Sequence, residues 1–167
     1  MQTSLFIELA NLPEEGMALS GQLHESIFDL PQGDAKALGP LSYQLWVQRF
    51  DSELLLTGSL SAPFEFTCVI TLKNFKQTIS LPEAAISVEI GNSGRIDIVE
   101  ALREEVLIEF PADPRCDEGD DPESCEIDSR YLAVDKFAEN DVSPAPRNEG
   151  DHRWSALNDL TGLNDHT

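Results

Sequence analysis

The chain has 167 residues, enough for one ordinary hydrophobic core and too few for two comfortable domains. Its 31 acidic and 11 basic side chains give a formal net charge of -20, which repels nucleic acid and anionic membrane at long range and favours basic partners. The basic residues are scattered, with Lys73 and Lys76 the nearest approach to a patch, so broad binding to a phosphate backbone is excluded.

The first residues, MQTSLFIELANLPEEG, have neither the basic start nor the apolar run of a signal peptide, and no stretch is long and apolar enough to span a bilayer. Cysteines at 68, 116 and 125 make an odd count without a dense framework, as suits a reducing compartment. The expectation is a soluble, cytoplasmic protein without a membrane partner.

Ser4 to Leu9 is apolar enough for a strand, ended by the turn Pro13-Glu14-Glu15-Gly16, and Met17 to Leu23 reads as a second strand. Ile27 to Leu30 fits a helical turn or a strand equally. Ser42 to Gln48 and Glu53 to Thr57 are apolar-rich runs about a polar Arg49 to Ser52, the form of a hairpin. Phe64 to Leu72 alternates, predicting a strand with Phe64, Phe66, Cys68, Ile70 and Leu72 on one face. Phe75 to Ser80 and Ala85 to Ile90 follow as further strands. Consecutive strands without intervening helices imply an antiparallel sheet.

Asp97 to Pro111 breaks that rhythm. Ile98, Val99, Leu102 and Val106 recur at helical spacing, with Glu100, Arg103, Glu104 and Glu105 on the other side. Asp97 suits the N-cap, and Glu100 three places on completes a variant capping box. Val106 to Phe110 turns β-prone before Pro111, so the chain should leave this helix extended. The predicted class is α+β: a mainly antiparallel sheet packed by one principal helix over about 97–107, with an acidic, partly disordered tail.

Three segments follow: a β-rich domain over 1–111, an acidic flexible linker over 112–150 and a short amphipathic helix over 151–163. Asp117 to Glu123 has almost nothing apolar to offset the entropy of ordering, and the run to Asp128 lacks the spacing of a calcium loop. In the last helix Trp154, Leu157 and Leu160 fall at spacings of three. Trp154 and Leu157 either fold back on the sheet or dock on a partner, and the neighbouring Arg153 favours recognition, which makes Arg153, Trp154 and Leu157 the candidate partner-binding residues.

Eight residues separate Cys116 from Cys125, more than a zinc knuckle uses, and further ligands would have to be Cys68 or His152. They read as two solvent-accessible linker thiols, with no metal and no cofactor expected. His24, His152 and His166 are far apart, and no G-x-S-x-G, phosphate loop or H-E-x-x-H occurs, so no enzyme is expected.

Gly58 to Leu72 with its terminal Cys, Ile96 to Pro111, and the closing Asp151-His152-Arg153-Trp154-Ser155-Ala156-Leu157 together resemble the bacterial YceD family, described as large ribosomal RNA subunit accumulation proteins. Members typically show an I-D-L helix running to L-P and a D-P-R-W-x-x-L close. This chain departs from the pattern: a strand C-x-x-C is reduced to Cys68-Val69-Ile70-Thr71, a Cys-rich segment to Cys116 and Cys125, and His152 replaces the closing Pro. The resemblance implies a non-enzymatic role in accumulation of the large-subunit (23S) rRNA. With the charge, it implies action through a basic ribosomal protein or assembly factor, rRNA being contacted only indirectly or through a small local patch. An acidic adaptor, or a nucleic-acid mimic unrelated to ribosomes, is the alternative.

Overall fold

The computed structural model describes residues 2–33 and 35–131. It is an α+β structure, mainly antiparallel sheet with one principal helix packed on it. The strands are β1 (Phe6–Glu8), β2 (Met17–Leu23), β3 (Ala35–Ala37), β4 (Leu41–Phe50), β5 (Glu53–Thr67), β6 (Asn74–Glu89) and β7 (Arg95–Asp97), and the helix is α1 (Val99–Ile108).

β5 organises the large sheet. Along one edge it pairs first with β4 and then, beyond Ser61, with β3; along the other it pairs with β6. β2 adds to the far side of β4. The short pair β1 and β7 sets Ile7 opposite Ile96, both buried.

Two expectations are corrected here. Glu53 to Thr57 and Phe64 to Leu72 are not separate strands, because β5 runs unbroken through Gly58 and Pro63. Likewise β6 joins the two predicted strands on either side of Pro82. A bulge explains both: Leu60 pairs with Leu81 and Gly58 with Ala84, so Pro82 and Glu83 stand against Ser59 alone. Gly58 has φ +149°, and a β-carbon there would collide with the Gln44 carbonyl oxygen. Pro63 falls at the break between β4 and β3, and its carbonyl accepts from the Leu38 N–H at 2.9 Å.

A third correction lies at the end of β5. The strand stops at Thr67, and Cys68 to Thr71 form a turn. The Leu72 amide donates to the Cys68 carbonyl at 2.9 Å, and Leu72 takes φ +58° with its side chain 77 % exposed. The alternation therefore holds for Phe64, Phe66 and Cys68 but not for Leu72.

The core lies between one face of the large sheet and α1. Leu41, Tyr43, Leu45 and Val47 of β4, Leu54 to Phe66 at alternate positions of β5, and Ile79, Leu81, Ala84 and Ile86 of β6 supply the sheet side. Ile98, Val99, Leu102 and Val106 are all buried, as their spacing predicts. Asp97 Oδ1 accepts from the Val99 N–H at 3.1 Å, although Ile98 occupies the cap position itself. The capping box does not form, because Glu100 instead pairs with Arg103 at 2.7 Å. Arg103 also donates to the Phe28 carbonyl at 3.0 Å, tying α1 to the short 3-10 turn Glu25–Phe28.

Where α1 ends, Phe110 packs edge-on against Phe64 and Phe66, with ring centroids 4.7 and 5.1 Å away. This aromatic contact delivers Pro111 and the following residues to the end of β5, beside Cys68.

Candidate functional site

The site begins with the turn after β5. The Cys68 amide donates to the Lys73 carbonyl at 2.9 Å, and the Thr71 amide donates to the Cys68 Sγ at 3.4 Å. The side chain of Cys68 is thus held inward at the base of a tight turn.

The other half comes from the chain beyond Pro111. The Val69 amide donates to the Pro114 carbonyl at 2.9 Å, which fixes the incoming segment to the turn. Cys116 opens a 3-10 turn, Cys116–Glu118, and its carbonyl accepts from the Glu123 amide at 3.2 Å, so the chain doubles back and returns Cys125 to the same place. The three Sγ atoms of Cys68, Cys116 and Cys125 lie within 4.8 Å of one another, and Cys68 and Cys116 are buried. The Thr71 hydroxyl is 3.7 Å from the Cys116 sulfur.

This corrects the reading of Cys116 and Cys125 as solvent-accessible linker thiols. The expected linker is also fixed to the sheet over its first part. Asp120 accepts from both the amide and the hydroxyl of Thr78, each at 2.7 Å, and lies 3.7 Å from the Lys76 ammonium. The Asp120 amide donates to the Lys76 carbonyl at 2.9 Å. Polar bonds to β6 thus do what the missing apolar side chains could not.

The electrostatics separate the thiols. Burial raises the pKa of Cys68, but the Thr71 hydroxyl and the amides of Thr71, Cys116 and Ile70 outweigh it and pull the group down to about 6. Cys125 moves the other way: burial raises it, and the neighbouring Cys68 and Cys116 sulfurs add to the rise. Arg115, held by Asp117 at 2.8 and 3.2 Å, is the nearby cation; Asp117 raises its pKa, and Cys125 contributes further. The two shifts run in opposite directions, which favours the thiolate at Cys68 over that at Cys125.

No family model, curated protein or solved structure matches this chain.

Three sulfurs within 4.8 Å of one another are a donor set for a thiophilic metal or a redox pair. Cys68, predicted on a strand face, lies instead in the turn after β5, and Thr71 stands where the spacing of a C-x-x-C would put a second thiol. Arg153, Trp154, Leu157 and His152 lie outside the described residues.

An open groove of about 1070 Å³ runs beside the cluster between residues 69–73 and 124–130. Val69, Leu72 and Ile127 expose apolar surface along it, and Lys73, Glu126, Asp128 and Arg130 add charges of both signs, with Arg130 paired to Asp128 at 2.6 Å. Among the described residues no helix is long and apolar enough to cross a membrane.

Proposed function

We propose that the protein is a non-enzymatic factor in large ribosomal subunit biogenesis that supports accumulation of the large-subunit rRNA from the cytoplasm. The observation that carries this reading is the convergence of Cys68 with Cys116 and Cys125 at the exit of α1. In the YceD-like pattern these residues belong to two separate motifs, the strand cysteines and the Cys-rich segment after the helix. Their meeting at one point gives two remnants of one pattern a common structural reason.

The partner class follows from charge and surface. A chain of net charge -20 is poorly suited to hold rRNA by a broad basic face and attracts basic partners, while the groove adds apolar contacts. Together these suit a basic, amphipathic segment of a ribosomal protein or assembly factor.

Affinity capture of the tagged chain from cells at low and high salt tests the reading. Large-subunit ribosomal proteins or their assembly factors should dominate the low-salt eluate and fall at high salt. A salt-sensitive complex with naked rRNA fragments and no protein partner overturns it, as does capture dominated by non-ribosomal proteins.

A further inference from the structure

We propose that Cys68, Cys116 and Cys125 form a three-thiolate site for Zn²⁺, with Thr71 at the corner where a fourth ligand would stand. A tetrahedral zinc with Zn–S bonds of about 2.3 Å sets its sulfurs roughly 3.8 Å apart. The 3.5 Å between the Cys68 and Cys125 sulfurs, and the 4.8 Å limit on the whole group, bracket that spacing. Among the described residues no further Cys, His, Asp or Glu joins the group.

Three observations favour a metal over ordinary packing. First, Cys116 is the only buried residue from Pro111 to Arg130, so this polar segment turns inward only where it presents sulfur. Second, the Thr71 amide points at the Cys68 sulfur, the kind of outer contact that steadies a ligating thiolate. Third, the polar bonds to β6 hold the segment at Asp120, between the two cysteines, and a metal that joins Cys116 and Cys125 to Cys68 would fix the chain on either side of it.

Soft thiolate donors exclude Ca²⁺ and Mg²⁺, which take oxygen. Binding forms three Zn–S bonds and releases to solvent the protons those thiols still carry. Thr71 leaves the fourth position to a water or an incoming ligand, unlike a closed four-cysteine site. The proposal stands apart from the ribosomal reading, since a chain without any ribosomal partner would still take up the metal.

The test uses the full chain, reduced and stripped with chelator, titrated with Co²⁺ and then Zn²⁺. One Co²⁺ per chain should bind with a thiolate-to-metal charge-transfer band that Zn²⁺ abolishes. Zinc should also slow alkylation of all three cysteines, read by peptide mass spectrometry. Cys116→Ser should lose uptake, and Thr71→Cys should bind Zn²⁺ on the order of tenfold more tightly. Absence of the charge-transfer band, or uptake retained in Cys116→Ser, overturns the site. Unchanged affinity in Thr71→Cys overturns the position given to Thr71. Should either variant fail to fold, the alkylation experiment on the unaltered chain decides, and equal rates with and without Zn²⁺ refute the proposal.

Discussion

The Sγ atoms of Cys68 and Cys125, 57 positions apart in sequence, stand 3.5 Å from each other. One belongs to the turn that ends the central strand, the other to a segment whose composition reads as solvated chain. The pair is held together by contacts on both sides of it: Val69 to Pro114 at the turn, and Thr78 to Asp120 on β6.

Selective oxidation follows from that pair. In metal-free protein treated with diamide, the Cys68 thiolate attacks the diazene, and the Cys125 thiol displaces the adduct to leave a Cys68–Cys125 disulfide and the reduced hydrazine. Peptide mapping should find this bridge as the main intramolecular product, with Cys116 left free. A predominant Cys116–Cys125 bridge would contradict the arrangement.

Asp120 gives a pH dependence with a definite sign. Burial raises its pKa, but the two Thr78 donors and the Lys76 ammonium outweigh that and hold it below the ordinary 3.8. A carboxyl depressed in the folded state stabilises the fold above its unfolded pKa, and the contribution is lost as pH falls through the folded value. Asp120→Asn should therefore be less stable than the unaltered chain near neutral pH. The gap should narrow below about pH 4, as followed by urea unfolding across the pH range.

Gly119 marks a close approach. A β-carbon there would lie 2.7 Å from a Phe75 ring carbon and 2.8 Å from the Lys76 carbonyl oxygen, and the carbonyl belongs to a paired strand. Gly119→Ala should cost about 1–3 kcal/mol in thermal or urea unfolding. It should also speed hydrogen exchange at the Thr78 amide, which an effect confined to the helix or to β4 would leave unchanged.

The helix offers a matched pair of truncations. Leu102 is fully buried against the sheet, and Leu102→Ala should lose about 2–5 kcal/mol of stability. Ile108, in the same helix, is 75 % exposed, and Ile108→Ala should change unfolding by no more than about 0.5 kcal/mol. Equal losses at the two positions would show that α1 packs by another face.

Helix α1 was legible because its apolar residues recur at three and four, and Asp97 does accept from the first turn. Met17 to Leu23 was legible as a strand, and so was the turn between β4 and β5. The continuity of β5 and β6 is not legible in the sequence, because it depends on a bulge that sets Pro82 and Glu83 against Ser59 and lets both long strands continue. The cysteine cluster was hidden for a different reason. Its members are joined by chain reversals at Leu72 and Glu123 that no local periodicity records, and the segment carrying two of them is ordered by polar contacts with β6 that composition cannot anticipate.

The direction of synthesis bears on the thiol cluster. Cys68 is made before β6 and α1, whereas Cys116 and Cys125 are made after both. The cluster therefore cannot close until the chain is made through Cys125, and it ties the turn after β5 to a segment synthesised later than the helix.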